Sequence, residues 1–271
     1  MTYMLTSNEE QIANEWKKYQ GFTVRPLAST VSYYSDLIHS FSRNDKFMIY
    51  GGTPEIRNIF QLLDLPVTLL DKSEQVIHAM GRLTHSESPV APNERFIKMD
   101  WLQDDTAPEK MDFIIGDDAI NMVPWEHFDT FLKNTKRRLN KNGLFVCHLL
   151  VKPDDSLIKQ NFYELLDEYR EGKIKTHYDL ASRLNFICFD EANYGMGWQQ
   201  TIHRIGATRL NIFKPDFDFI ATFGFCNSKF YCPPQDQFEK LISNYFLIDE
   251  IFYPHEHDYC LYEPVYVLKK L

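Results

Sequence analysis

Between residues 46 and 151, short apolar runs ending in glycine or a carboxylate alternate with segments of helical period, and this pattern restricts the chain to a parallel sheet covered on both faces. Lys46 to Tyr50 ends in Gly51-Gly52, and Pro54 opens a helix carrying Ile56, Ile59, Phe60 and Leu63. Val67 to Leu70 ends in Asp71, with Ser73 placed to cap a helix through Ile77 and Met80. Arg95 to Lys98 reads as a third strand. Asp112 to Ile115 is a fourth, ending in Gly116-Asp117-Asp118, with a helix running from Pro124 to the basic Lys136-Arg137-Arg138. Asn142-Gly143 is expected to turn the chain into a fifth strand, residues 144 to 151.

The flanks lack this alternation. Ser7 with Glu10 predicts a capping box and a helix over 8–19, and a second helix is expected over 30–42. Residues 153–215 read as a mostly helical insertion, in which Gly195-Met196-Gly197 is a candidate hinge. A strand is expected over 217–225, a short helix after Pro234, and a closing hairpin of strands 245–253 and 259–268 around a five-residue loop. The organisation expected is an N-terminal helical cap (1–44), a core (45–152 with 216–271) and a helical substrate cap (153–215).

Composition narrows the function. Lys and Arg number 29 against 38 Asp and Glu, a net charge of −9 without a basic face, which argues against nucleic acid as partner. There is no apolar stretch of membrane-spanning length and no secretory start, so no membrane partner and a cytoplasmic location are expected. Five cysteines without a C-x-x-C pair suit a reducing compartment. Cys226, Cys232, His255, His257 and Cys260 match no standard ligand spacing, so no metal is expected.

In an open parallel sheet, ligands bind beyond the carboxyl ends of the strands. Those ends supply Tyr50, Gly51, Gly52, Thr53 and Glu55; then Asp71, Lys72 and Ser73; then Asp100 and Trp101; then Gly116 and Asp117. Glycines let a backbone approach a ligand, and Asp71, nineteen residues after Gly52, is suited to accept from both hydroxyls of a ribose.

This order of strand-end residues resembles the class I S-adenosylmethionine-dependent methyltransferases, over roughly 45–152 and 216–271. The resemblance implies an α/β, Rossmann-like, seven-stranded, mostly parallel sheet with an antiparallel last strand, preceded by helices and carrying a helical insertion after the fifth strand. It also implies S-adenosyl-L-methionine as cofactor and S-adenosyl-L-homocysteine as product. Gly51, Gly52 and Thr53 would meet the methionine portion, Asp71 the ribose, Asp100 and Trp101 the adenine, and Gly116 and Asp117 the amine and methyl end. The first motif departs from the common pattern: Ile49 stands where an acid is usual, and Thr53-Pro54-Glu55 resembles a Gly-x-Thr-Pro-Glu variant. Asp117, or a backbone carbonyl, would then receive the ammonium group.

Methyl transfer from a sulfonium is an in-line displacement, so alignment of the acceptor dominates. Asp117, Asn121 and His148 are the candidates for positioning or proton transfer. Tyr33, Tyr34, Tyr178 and Trp198 are candidate walls for a small-molecule acceptor, and a homodimer is one compatible assembly. The rivals are an NAD-dependent oxidoreductase, disfavoured because G-G-T-P-E-I stands in place of G-x-G-x-x-G, an aminopropyl transferase using Asp117-Asp118, and a non-catalytic S-adenosylmethionine-binding protein.

Overall fold

The computed structural model describes residues 6–20, 22, 24–103 and 109–271. Helices α1 (Ser7–Lys18) and α2 (Ala28–His39) precede β1 (Phe47–Tyr50), α3 (Pro54–Leu62), β2 (Val67–Asp71), α4 (Glu74–Gly81), β3 (Glu94–Lys98), β4 (Met111–Gly116), α5 (Phe128–Arg138) and β5 (Leu139–His148). The insertion follows, with α6 (Asp155–Ile158), α7 (Phe162–Arg170), α8 (His177–Phe186), β6 (Gly195–Met196), α9 (Trp198–Ile205) and α10 (Ala207–Leu210). Then come α11 (Phe219–Phe223), β7 (Phe230–Tyr231), α12 (Gln235–Ile242), β8 (Phe246–Phe252) and β9 (Val265–Lys270).

Seven strands form one sheet in the order β3-β2-β1-β4-β5-β9-β8. Neighbours from β3 through β5 pair in parallel, whereas β9 runs antiparallel to both β5 and β8. Strand order therefore reverses between β1 and β4, which opens a crevice beyond their carboxyl ends. Strand residues alternate between two buried faces, as in a sheet covered on both sides. Phe47, Ile49, Leu69, Phe113 and Ile115 pack under α2 and α3, while Met48, Tyr50, Leu70, Ile114 and Phe145 pack with α5 and the insertion.

Several sequence expectations are corrected. The capping box is Thr6 with Glu9, one residue earlier than expected. Asn142-Gly143 lies inside β5, which begins at Leu139 because β4 shifts register between Met111 and Phe113 and pairs with both ends of the longer strand. Residues 219–223 are helix α11, whose Phe219 and Phe223 pack on Trp198. The closing strands are joined by a longer connection with a helical turn at Cys260–Tyr262. Gly195 and Met196 pair with β7, and a Cβ on Gly197 would meet the Ser228 carbonyl oxygen at 2.8 Å, so the candidate hinge is closely packed here.

Candidate active site

The carboxyl ends of β1 to β4 open into one hollow of about 740 Å³, within the range of small-molecule sites. Gly51 leaves β1 at φ +91, a conformation that favours glycine, and its N–H donates to the Leu70 carbonyl at 3.0 Å. Its missing side chain keeps the floor open: a Cβ there would stand 3.9 Å from Asp71 Oδ2. Pro54 fixes the first turn of α3. Thr53 occupies the N-cap position, yet its hydroxyl makes no capping bond and the residue lines the hollow instead.

Asp71 is buried at the tip of β2. Its Oδ1 accepts from the Ser73 N–H at 2.7 Å, and Ser73 Oγ in turn caps α4 by accepting from Val76 N–H. Burial raises the Asp71 carboxyl above its ordinary range, opposed by that backbone donor and by Lys72. At the third tip, Asp100 Oδ1 accepts from Leu102 N–H at 2.9 Å, which orders the turn holding Trp101. The Trp101 indole N–H donates to the Leu70 carbonyl at 2.8 Å and the ring stacks on Tyr50. Lys72, Ser73, Asp100 and Trp101 all line the same hollow as Gly51, Gly52, Asp71 and Asp117.

At the tip of β4, Asp117 Oδ1 accepts from the buried Tyr34 hydroxyl at 2.7 Å. Asp118 follows at φ +54, and both line the hollow. Behind them, at the end of β5, His148 Nδ1 lies 3.2 Å from Asp117 Oδ1 and 2.9 Å from Asp118 Oδ1. Neither contact runs along a ring N–H direction, so these are charge contacts and not directed hydrogen bonds. Burial pushes the Asp118 carboxyl up to about 6, against the pull of His148. Burial alone would hold the imidazole down, but the two carboxylates outweigh it and raise His148 well above its ordinary value.

Other expected site residues stand elsewhere. His148 does not line the hollow. Asn121 is fully buried and committed: its amide donates to the Leu150 carbonyl at 2.9 Å and the Tyr231 carbonyl at 2.7 Å, and its Oδ1 accepts from Leu150 N–H. That makes it a backbone staple between the β4 tip, the end of β5 and β7. Gly116 lies beneath the wall, where a Cβ would press on Ala119 at 3.0 Å. Glu55 is turned to Arg25, whose Nε donates to it at 2.9 Å while Nη1 donates to the Trp16 carbonyl at 3.2 Å, so the pair ties the end of α1 to the start of α3. The four aromatics assigned to an acceptor wall do not line the hollow either. Tyr33 stacks on Phe252, Tyr34 is fully buried beneath Asp117, Tyr178 packs edge-on to Phe22, and Trp198 stacks on Phe223 at 3.9 Å.

The rest of the hollow is lined by residues that were not expected there from the sequence. Helix α1 is fastened to α4 by Asn8 on Gln75 and Glu9 on His78, and it lays Gln11, Ile12, Glu15 and Trp16 along the hollow. Met122, Val123 and Pro124 after β4, and Phe225 to Ser228 before β7, complete the wall. Phe225 is 64 % exposed where it lines the hollow.

This strand order, with the antiparallel β9 inserted before β8, is the fold of the class I S-adenosylmethionine-dependent methyltransferases. An N-methyltransferase, NodS, from Bradyrhizobium japonicum, solved with S-adenosyl-L-homocysteine, matches 98 % of this chain over 99 % of its own at TM-score 0.52 and 9 % identity. A SAM-dependent methyltransferase from Methanosarcina mazei matches 87 % of this chain over 97 % of its own at TM-score 0.54 and 12 % identity. A protein from Rhodobacter sphaeroides, named as a candidate zinc-dependent alcohol dehydrogenase, matches 98 % over 100 % at TM-score 0.58 and 12 % identity. No protein-family model matches the sequence, and no curated protein does.

Proposed function

We propose that the protein transfers a methyl group from S-adenosyl-L-methionine to a small-molecule acceptor held in the same hollow. The observation that carries this reading is the convergence of Gly51, Asp71, Trp101 and Asp117, from four strand tips, on one cavity. The residues fit the cofactor: an open glycine turn, a carboxylate beside it, an aromatic ring at the third tip and a second carboxylate at the fourth.

The cofactor supplies an electrophilic methyl on a sulfonium. Asp71 accepts from the ribose hydroxyls, its orientation fixed by the Ser73 N–H. Trp101, pinned through its indole N–H, bounds the adenine. Asp117 receives the ammonium group in place of the acid missing before Gly51, held in position by Tyr34. Met122, Val123, Pro124, Phe225 and Phe230 form an apolar wall that directs an acceptor toward the methyl. His148, charged and set behind the two carboxylates, fixes their position and is unsuited to act as a base. Substrate contacts fall to this wall and to α1, and no longer to Tyr33, Tyr34, Tyr178 and Trp198.

Thermal shift and titration calorimetry with S-adenosylmethionine, S-adenosylhomocysteine, decarboxylated S-adenosylmethionine and NAD test the reading, since a ligand of the folded state alone raises its stability. The first two are expected to bind, with Asp71→Asn weakening both by about tenfold, roughly 1.4 kcal/mol. Stabilisation by NAD alone overturns the proposal. A preference for the decarboxylated cofactor redirects it to aminopropyl transfer, and binding without turnover across acceptor classes leaves a non-catalytic binding protein.

A further inference from the structure

The connection between β8 and β9 holds a second buried polar cluster, apart from the hollow. His257, Cys260 and Glu263 bring one ligand atom each to within 4.8 Å of one another. Their side chains are almost inaccessible, with His257 and Glu263 at 1 % and 3 % exposure and Cys260 buried with them. His257 Nε2 lies 3.5 Å from Glu263 Oε1, yet among the described residues Nε2 and Glu263 Oε2 have no hydrogen-bond partner. Buried polar atoms without partners cost about 1–3 kcal/mol each, so two in one cluster need an explanation.

We propose that His257 Nε2, Cys260 Sγ and Glu263 form a binding site for a divalent transition-metal ion of zinc type, which fastens the β8–β9 connection to the core. Nitrogen, sulfur and carboxylate oxygen are the donors zinc takes, and ligands at about 2.1 Å in a tetrahedron stand about 3.4 Å apart, close to the separation between His257 and Glu263. A water completes the shell. On loading, the Cys260 thiol proton and the proton that burial holds on the Glu263 carboxyl, pushed up to about 8, both leave to solvent, and the imidazole proton sits on Nδ1. There it faces Asp179 Oδ1, now 3.8 Å away, and the 3.3 Å bond from Tyr259 N–H to Nδ1 is given up. A carboxylate behind a ligating histidine is the usual orienting arrangement. Asp179 is itself anchored in the first turn of α8 through Thr176, so the ion would tie the connection to the insertion. Spacing did not suggest this trio, because Glu263 is no standard partner in the patterns read for Cys and His. The helical turn at Cys260–Tyr262 is what folds residues 257, 260 and 263 together.

Cobalt(II) titration of the full chain tests the site, because a cobalt–thiolate bond gives an intense near-ultraviolet charge-transfer band that carboxylate and imidazole ligands do not. The expected result is one equivalent of that band, displaced by zinc, absent in Cys260→Ser and weakened at least tenfold in Glu263→Gln. Protection of Cys260 from alkylation by added zinc in urea that opens the connection, read by peptide mapping, gives the same answer without a variant. No charge-transfer band at excess cobalt, or a band that survives Cys260→Ser, overturns the proposal. Cofactor binding plays no part in either readout.

Discussion

The Tyr34 hydroxyl reaches from α2 to donate to Asp117 Oδ1 at 2.7 Å, joining residues 83 positions apart beneath the floor of the hollow. Tyr34 is wholly buried, so this bond is made out of contact with water. Hydrogen bonds to a charged group contribute about 1.5–3 kcal/mol. Tyr34→Phe is therefore expected to lower unfolding stability by about 2 kcal/mol in urea, and to weaken S-adenosylhomocysteine binding because Asp117 loses its orientation. Unchanged affinity in calorimetry on the folded variant would remove Asp117 from the cofactor reading.

Gly51 and Gly52 are expected to respond differently to alanine. At Gly51 the backbone stands at φ +91 and the added Cβ has room, its nearest neighbour being Asp71 Oδ2 at 3.9 Å. The change costs about 1–3 kcal/mol of backbone strain and puts a methyl where the ligand approaches. At Gly52 the Cβ instead meets Ile77 Cδ1 at 3.2 Å and Met80 Cβ at 3.4 Å, a packing conflict with α4. Gly51→Ala should lose cofactor affinity out of proportion to its stability loss, and Gly52→Ala should lose mainly stability; equal affinities in the two variants would count against the turn as a ligand cradle.

The site was legible in the sequence where the backbone itself forms it. Apolar runs ending in Gly51-Gly52, Asp71 and Asp117 announce strand tips, and parallel pairing brings such tips to one edge whatever the helices do. Side chains that reach the cavity from other elements leave no comparable trace. Trp198 and Tyr178 have the aromatic character of a binding wall, but the same surface is equally suited to packing, and α11 supplies Phe223 to cover Trp198. Conversely, Gln11 and Trp16 read as ordinary helix residues, and only the fastening of α1 onto α4 turns them to the cavity. The register of β5 was hidden for a related reason: Asn142-Gly143 has turn chemistry, and pairing with β4 overrides it.

A buried ion pair under the site escaped the sequence as well. Arg57, on α3, donates through Nε and Nη2 to Glu94 at 2.9 and 2.6 Å, and through Nη1 and Nη2 to the carbonyls of Ile77 and Pro89. Both side chains are fully buried, so removing one leaves an uncompensated charge, at about 3–5 kcal/mol. Because Arg57 bridges α3, the middle of α4 and the start of β3, Arg57→Leu should destabilise the β1–β2–β3 half of the sheet. Urea unfolding is expected to show the full loss, and Arg57→Leu with Glu94→Leu together should recover part of it; a loss under 1 kcal/mol in the single variant would mean the pair is water-accessible.

The His148 cluster gives stability a defined pH dependence. Asp117 and Asp118 raise the folded imidazole well above its ordinary value of 6.5, whereas the unfolded chain releases that proton near 6.5. From there up to the folded value, the native state holds one proton more than the unfolded state, so stability falls as pH rises, by at most about 1.4 kcal/mol per unit. Asp118 acts in the same direction at lower pH: its carboxyl titrates at about 6 when folded against 3.8 unfolded, and stability declines across that interval. Below 3.8 both contributions are fully present. His148→Gln should flatten the decline above pH 6.5, and Asp118→Asn the decline between 4 and 6, in urea unfolding series across pH. A wild-type stability that rises between pH 6.5 and 8, with no difference between wild type and His148→Gln in that slope, would mean the imidazole is neutral in the folded protein, and the charge contacts beneath the site would have to be reassigned.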